Sequence, residues 1–428
     1  MEKKHIEAEN ASSKDFVKER IKARPINKVK LMRKMAGAIL SAIIFGFVFC
    51  LCFIFLEPKI EKLIHKDEKV MYVEFPEDMA EEEMLPENML TDDMQEQQGD
   101  VPASEILDIT DYQQLQESLA RLADKTRKSV VSVTGITTKN NWFENSYENK
   151  SFSSGVIVAD NDQEYLILVK ANSIKKAENI VVIFYNKKQA EARLLQVDKQ
   201  TGYGVIAVNK ENLSEVDKEN ITVAKLGSSN LVALVGSSVI ALGNPVGTGE
   251  GICYGNITSA GKLLGLEDSN YKLMTTDIYG STQAGGVLVN MNGYVIGIID
   301  NSYNSSDLKN ALSAIGISEM KPLIENLANN RPIPYMGVKG VSVTTSVNSN
   351  YGVPFGAYVT SVTMDSPSML AGIQSGDVIT EFNGEEIRTY ADLTLAILKS
   401  NIDEKIKVKL ERETLSGYSE MTVKVTLK

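Results

Sequence analysis

The sequence predicts a mainly β protein: one transmembrane helix, an all-β body about the size of two six-stranded barrels, and a compact α+β module. Three features carry this. Residues 36–56 are apolar and uncharged, short β-branched runs broken by Gly, Asn and Asp fill residues 129–328, and helix signals alternate with strand signals over residues 335–428. The 428 residues are 43% hydrophobic and 24% charged, enough for several cores, so wholesale disorder is excluded. Three cysteines are too few for a disulfide scaffold.

Residues 1–35 form a basic tail, with eleven Lys and Arg against five Asp and Glu, on a chain of net charge −11. A basic tip on an acidic body argues against nucleic acid as a partner, because the body would repel a phosphate backbone. The run Ala36–Leu56 (AGAILSAIIFGFVFCLCFIFL) explains the tip. At about 1.5 Å of rise per residue it spans a hydrocarbon layer of about 30 Å. Arg20, Lys22, Arg24, Lys28, Lys30, Arg33 and Lys34 precede it, whereas Lys59, Lys62 and Lys66 beyond it are mixed with Glu57, Glu61 and Asp67. The positive-inside bias therefore predicts a single-pass protein with a cytoplasmic N-terminus and extracytoplasmic main domains. A cleaved signal fits less well, given the long N-terminal region and the absence of a small-x-small site before Glu57. Cys50 and Cys52 lie in the span, which leaves Cys253 alone beyond it.

Residues 57–108 read as an acidic juxtamembrane linker, with PEDMAEEEMLPENMLTDDMQEQQGD at its centre. The β body occupies residues 109–328. It opens with a helix whose Tyr112, Leu115, Leu119 and Leu122 share a face and whose cap is predicted at Asp111. Strand signals follow in SVVSVTGI, SGVIVAD, YLILVKA, NIVVIFY, GVIAVN, SSVIALGNP, GICYGNITSAG and GYVIGIID, and a helix over 317–327 closes the body.

The module at 335–428 has strands near 338–343, 357–362, 405–411 and 420–427 and a helix over 390–400. Within SPSMLAGIQSGDVITEFNGEEI, Ser366 caps a helix with Pro367 at its first position. Gly372 ends that helix in a left-handed conformation, Gly376 and Asp377 turn into a strand, and Asn383-Gly384 marks a hairpin. These features closely resemble a PDZ domain. The resemblance implies a peptide site at Tyr335, Met336, Gly337 and Val338, whose backbone N–H groups receive a C-terminal carboxylate, beside a helix carrying Leu393 and Ile397.

The stretches SVVSV (129–133), SGVIV (154–158), VAKLGS (223–228), VIALGNPVG (239–247), Thr276-Asp277, GGVLVN (285–290) and GYVIG (293–297) resemble the HtrA (DegP/DegS-type) membrane-anchored serine proteases, over residues 120–428. The resemblance implies a trypsin-like double barrel, with serine, histidine and aspartate on the cleft between barrels. Register along the matching stretches places the histidine position at Asn172, the aspartate position at Gly202 and the nucleophile at Ala284, or at Gly285 in a register one residue shorter. The only histidines are His5 and His65, so the β body has no imidazole to take a serine proton.

The expected function is therefore a membrane-anchored pseudoprotease that binds unfolded or C-terminal peptide segments. One rival is an active endopeptidase in which Lys170 activates a displaced nucleophile, Ser281 or Thr282. Another is a regulator that assembles with an active HtrA protease, and the resemblance also implies a homotrimer. Asp198 and Asp277 read as turn and loop residues. No cofactor is implied: the region beyond the span has one cysteine and only His65, and Gly243–Gly251 lacks the lysine of a phosphate loop.

Overall fold

A computed structural model describes residues 72–75, 108–141, 144–231 and 233–428, all within one compact unit, Met71–Lys428. The predicted tail, the predicted span and nearly all of the predicted linker lie outside the described residues.

Helix α1 (Ile109–Thr126) opens the β body. Its cap is Asp108 rather than the expected Asp111. The Asp108 carboxylate accepts the Thr110 and Asp111 N–H groups, and Asp111, three residues in, reaches back to the Asp108 N–H, closing a capping box. The expected apolar face docks only at its end. Leu122 and Ala123 pack on the core, while Tyr112 and Leu115 are more than half exposed.

Strands β1 (Val130–Asn141), β2 (Glu144–Asp160), β3 (Glu164–Lys170), β4 (Asn179–Ile183), β5 (Gln189–Val197) and β6 (Tyr203–Asn209) close a barrel in the order β1-β2-β3-β6-β5-β4. After a short helix α2 (Glu215–Glu219) comes the second barrel. It comprises β7 (Ser238–Asn244), β8 (Gly251–Leu266), β9 (Ser269–Tyr279), β10 (Gly285–Asn290), β11 (Val295–Ile299) and β12 (Ala311–Gly316), in the order β10-β11-β12-β9-β8-β7. Helix α3 (Ile317–Ala328) follows.

The unbroken apolar character of β3, β7 and β10 has a direct cause: both faces are buried. Ile167 and Val169 point into the first barrel, and Ala241 and Leu288 into the second. Their neighbours Leu166, Leu168, Ile240, Leu242, Val287 and Val289 fill a layer shared by both barrels and α3. Each such side chain contributes roughly 1.5–3 kcal/mol through burial. The layer fixes one barrel against the other and so fixes the cleft between them.

The C-terminal module contains β13 (Val338–Ser342), α4 (Thr345–Tyr351), β14 (Ala357–Val362), α5 (Pro367–Leu370), β15 (Val378–Phe382), β16 (Glu385–Glu386), α6 (Tyr390–Lys399), β17 (Lys405–Thr414) and β18 (Gly417–Thr426). Its sheet order is β13-β14-β15-β17-β18, with β16 paired to β15. Ser366 caps α5, and Gly372 is left-handed at φ 88°. The Asn383-Gly384 turn has both residues at positive φ, as a tight hairpin requires.

Several expectations are corrected. The segment after β3 forms one 3₁₀ turn, Ala171–Ser173, before β4. β5, β9, β10 and β12 carried no expected strand, and β1 and β2 run on as a long polar hairpin. The module holds three helices rather than two.

Candidate functional site

A cleft of about 930 Å³ lies between the barrels, and Asn172, Ala284, Gly285, Lys170, Ser154 and Gly243 are among its lining residues. Asn172 sits in the 3₁₀ turn after β3. The turn is held by the Ala171 N–H donating to the Gly202 carbonyl at 2.8 Å, and the Asn172 Oδ1 accepts from Lys175 Nζ at 3.0 Å. Gly202 ends the turn leading into β6, at φ 75°. A Cβ placed there would land on the Asn172 amide, so these two positions adjoin. Asp198 shapes that turn, accepting from the Thr201 N–H at 2.8 Å, the Thr201 hydroxyl at 2.6 Å and the Gln200 N–H at 3.2 Å. Asp277 is a strand residue rather than the expected loop residue: it lies on β9 and accepts both the backbone and side-chain N–H of Asn256 on neighbouring β8.

Ala284 closes a turn just before β10, and its N–H donates to the Ser281 carbonyl at 3.1 Å. That N–H is directed at the chain's own backbone rather than into the cleft. Gly285, the alternative position, begins β10 opposite Asn244. The Ser281 hydroxyl accepts the Gln283 N–H, and Thr282 lines the cleft.

Lys170 is partly exposed but paired. Its Nζ lies 2.6 and 2.7 Å from the two oxygens of Asp300 and 3.1 Å from the Ser302 hydroxyl. Asp300 is 2% exposed and also accepts from the Tyr203 hydroxyl at 3.2 Å. Burial, then the Asp300 charge, pushes the Tyr203 phenol well above its usual range. Lys170 comes from the first barrel and Asp300 from the second, so the pair clamps one wall of the cleft. The sequence offered no signal for Asp300, which lies 130 residues away.

The loop Tyr335–Val338 is anchored on both sides. Tyr335 exchanges backbone hydrogen bonds with Lys428, and the Met336 carbonyl accepts from the Ser368 N–H and hydroxyl. Gly337 has φ 86°, and a Cβ there would collide with Ser366. The loop's three successive N–H groups converge on one point and meet the carboxylate of Asp268, at the tip of the β8–β9 hairpin. Leu393 and Ile397 lie on α6, 0% and 1% exposed, within the module's core.

A trypsin-like peptidase domain family matches residues 153–298, and a PDZ domain family matches residues 334–427. A probable periplasmic serine protease of the do/HhoA-like type from Haemophilus influenzae is 25% identical over 64% of this chain and 61% of its own length. The serine protease Do-like HtrB of Bacillus subtilis is 25% identical over 72% of this chain and 70% of its own length. The chain thus spans well short of the full length of these relatives. In architecture it is similar to the HtrA-type protease AlgW solved with a decapeptide, at a TM-score of 0.53 and 20% identity over 72% of this chain and 98% of that one. A trypsin-like peptidase domain followed by a PDZ domain, together with the HtrA- and Do-like relatives, supports an HtrA-family protein.

Proposed function

We propose that this chain is a membrane-anchored HtrA-type pseudoprotease that binds unfolded or C-terminal peptide segments outside the cytoplasmic membrane. The observation that carries the reading is the trio Asn172, Gly202 and Ala284. Asn172, against which Gly202 packs, lines the cleft together with Ala284, and none of the three supplies a nucleophile, a base or a carboxylate. Without a base a serine hydroxyl is a poor nucleophile at neutral pH, and loss of a whole triad lowers turnover by about a millionfold in a comparable protease. The Ala284 N–H compounds the loss, because it bonds to Ser281 instead of standing ready for a developing oxyanion. Use of Ser281 or Thr282 with Lys170 is disfavoured by the Asp300 clamp.

The PDZ domain supports peptide binding, since its Met336, Gly337 and Val338 N–H groups form a carboxylate-sized nest. The periplasmic setting in the name of the Haemophilus relative and the uncharged run 36–56 with its basic flank support anchoring outside the cytoplasm. The test is proteolysis of casein by the purified full chain, beside the triple variant Asn172→His, Gly202→Asp, Ala284→Ser. No turnover is expected from the wild type, and cleavage is expected from the triple variant. Wild-type cleavage abolished by Ser281→Ala or Thr282→Ala would overturn the reading.

A further inference from the structure

The β8–β9 hairpin turns at Glu267-Asp268, between the pair Leu266 and Ser269. Asp268 adopts φ 60° and is 8% exposed. Its carboxylate accepts the Met336 N–H at 2.7 Å, the Gly337 N–H at 2.8 and 2.9 Å, and the Val338 N–H at 2.9 Å. The contact goes beyond the carboxylate. The Asp268 N–H donates to the Val338 carbonyl at 2.7 Å, the Thr394 hydroxyl on α6 donates to the Asp268 carbonyl at 2.9 Å, and the Asn270 amide donates to the Gly340 carbonyl at 3.0 Å.

One residue of the second barrel therefore offers this loop what the last residue of a peptide would offer. It brings a carboxylate for the three N–H groups and an N–H for the first carbonyl of the adjoining strand. No side-chain cation shares the carboxylate among the described hydrogen bonds and ion pairs; backbone alone holds it. The hairpin tip also lies against β13 and α6, the two elements that would flank a bound peptide.

We propose that Asp268 is an internal ligand of the PDZ nest, so that the β8–β9 hairpin and a peptide C-terminus exclude each other and peptide binding unlatches this contact between PDZ domain and barrel. This rests on the peptide-binding reading above. Because the hairpin belongs to the same chain, its effective concentration at the nest is high, and only the fraction of molecules with an open nest accepts peptide. The contact of α6 with α3, including the Asn326 amide donating to the Leu398 carbonyl at 2.6 Å, does not pass through the nest and would persist after release.

The test titrates the full chain with fluorescent decapeptides ending in Val, Leu or Phe, with free or amidated C-termini. Asp268→Gly removes the side-chain acceptor altogether and suits the left-handed backbone at φ 60°. It is expected to bind the free-carboxylate peptides at least tenfold tighter than the wild type. Hydrogen exchange supplies a readout that needs no variant: saturating free-carboxylate peptide should speed exchange of the Asp268 amide in the wild-type chain, and the amidated peptides should not. Equal tight binding to wild type and variant, with Asp268 exchange unchanged, would overturn the internal ligand and leave peptide binding intact. Failure of both proteins to bind either peptide set would overturn the exclusion together with the peptide-binding reading.

Discussion

The cleft between the barrels takes its chemistry from side chains, whereas the nest at Met336–Val338 takes its binding power from backbone. This difference explains their present states. On the reading proposed above, catalytic groups at positions 172, 202 and 284 could be lost one substitution at a time, because the double barrel is held by residues elsewhere, such as Leu168, Leu242 and Val287. The cleft persists as a shape without them. Three converging N–H groups belong to every sequence that can trace that loop, so substitutions at most of its positions leave them in place. What changes such a site is occupancy, and here Asp268 occupies it. A side-chain site can be erased within its fold, while a backbone site is more readily covered.

The comparison breaks first at Lys170 if the cleft wall is looser than described. Lys170→Met strands Asp300, which is 2% exposed, without its cation. Removing one partner of a buried pair costs roughly 3–5 kcal/mol. With the Lys170 side chain itself 34% exposed, the lower end, about 3 kcal/mol, is expected as a reduced urea midpoint at unchanged slope. A loss below about 0.5 kcal/mol, the scale of ordinary surface changes, would mean that Lys170 is free and would revive it as a base for Ser281.

A smaller effect sharpens the contrast between the two sites. Gly337→Ala puts a Cβ against Ser366 at φ 86°, so it should destabilise the PDZ domain by about 2 kcal/mol and speed exchange of the Met336 and Val338 amides. Ala284→Ser adds one oxygen on a cleft-lining residue and should stay within about 0.5 kcal/mol by urea midpoint. Similar losses from the two changes would remove the distinction between backbone and side-chain sites.

Much of this was legible from local pattern. The Ser366-Pro367 cap, the Gly372 turn and the Asn383-Gly384 hairpin were readable because each rests on backbone preferences a few residues long. The doubly buried strands β3 and β7 were readable as apolar runs. β5, with its QAEARLLQV sequence, and the polar far end of the β1–β2 hairpin were not, since hydrogen-bond pairing rather than an apolar face makes them strands. The contacts that decide both sites were hidden for another reason. Lys170 with Asp300 and Asp268 with Met336 join residues 130 and 68 positions apart, and an acidic residue in a hairpin turn looks the same whether it meets water or a nest. The PDZ resemblance implied a role for the loop Tyr335–Val338, but nothing in the sequence marked Asp268 as its partner.

The smallest effect concerns the titration of Asp268. Burial pushes its carboxyl from 3.8 up to about 6, against the pull of the Val338, Gly337 and Met336 N–H groups, with the neighbouring Glu267 charge adding to the rise. The other titratable groups facing it stay neutral through this range: burial pushes Tyr335 up to about 12 and Tyr390 higher still. A docked carboxyl with the higher pKa binds more protons than a released one, so docking is strongest below pH 3.8 and weakens as pH rises through about 6. Between pH 5 and 7 the latch should loosen by about tenfold, or about 1.4 kcal/mol. The measurement is the protection of the Asp268 amide, corrected for intrinsic exchange, across that range in peptide-free protein. Protection that held constant or grew with pH would mean that the three N–H groups outweigh burial, and that the nest holds its internal carboxylate as tightly at neutral pH as in acid.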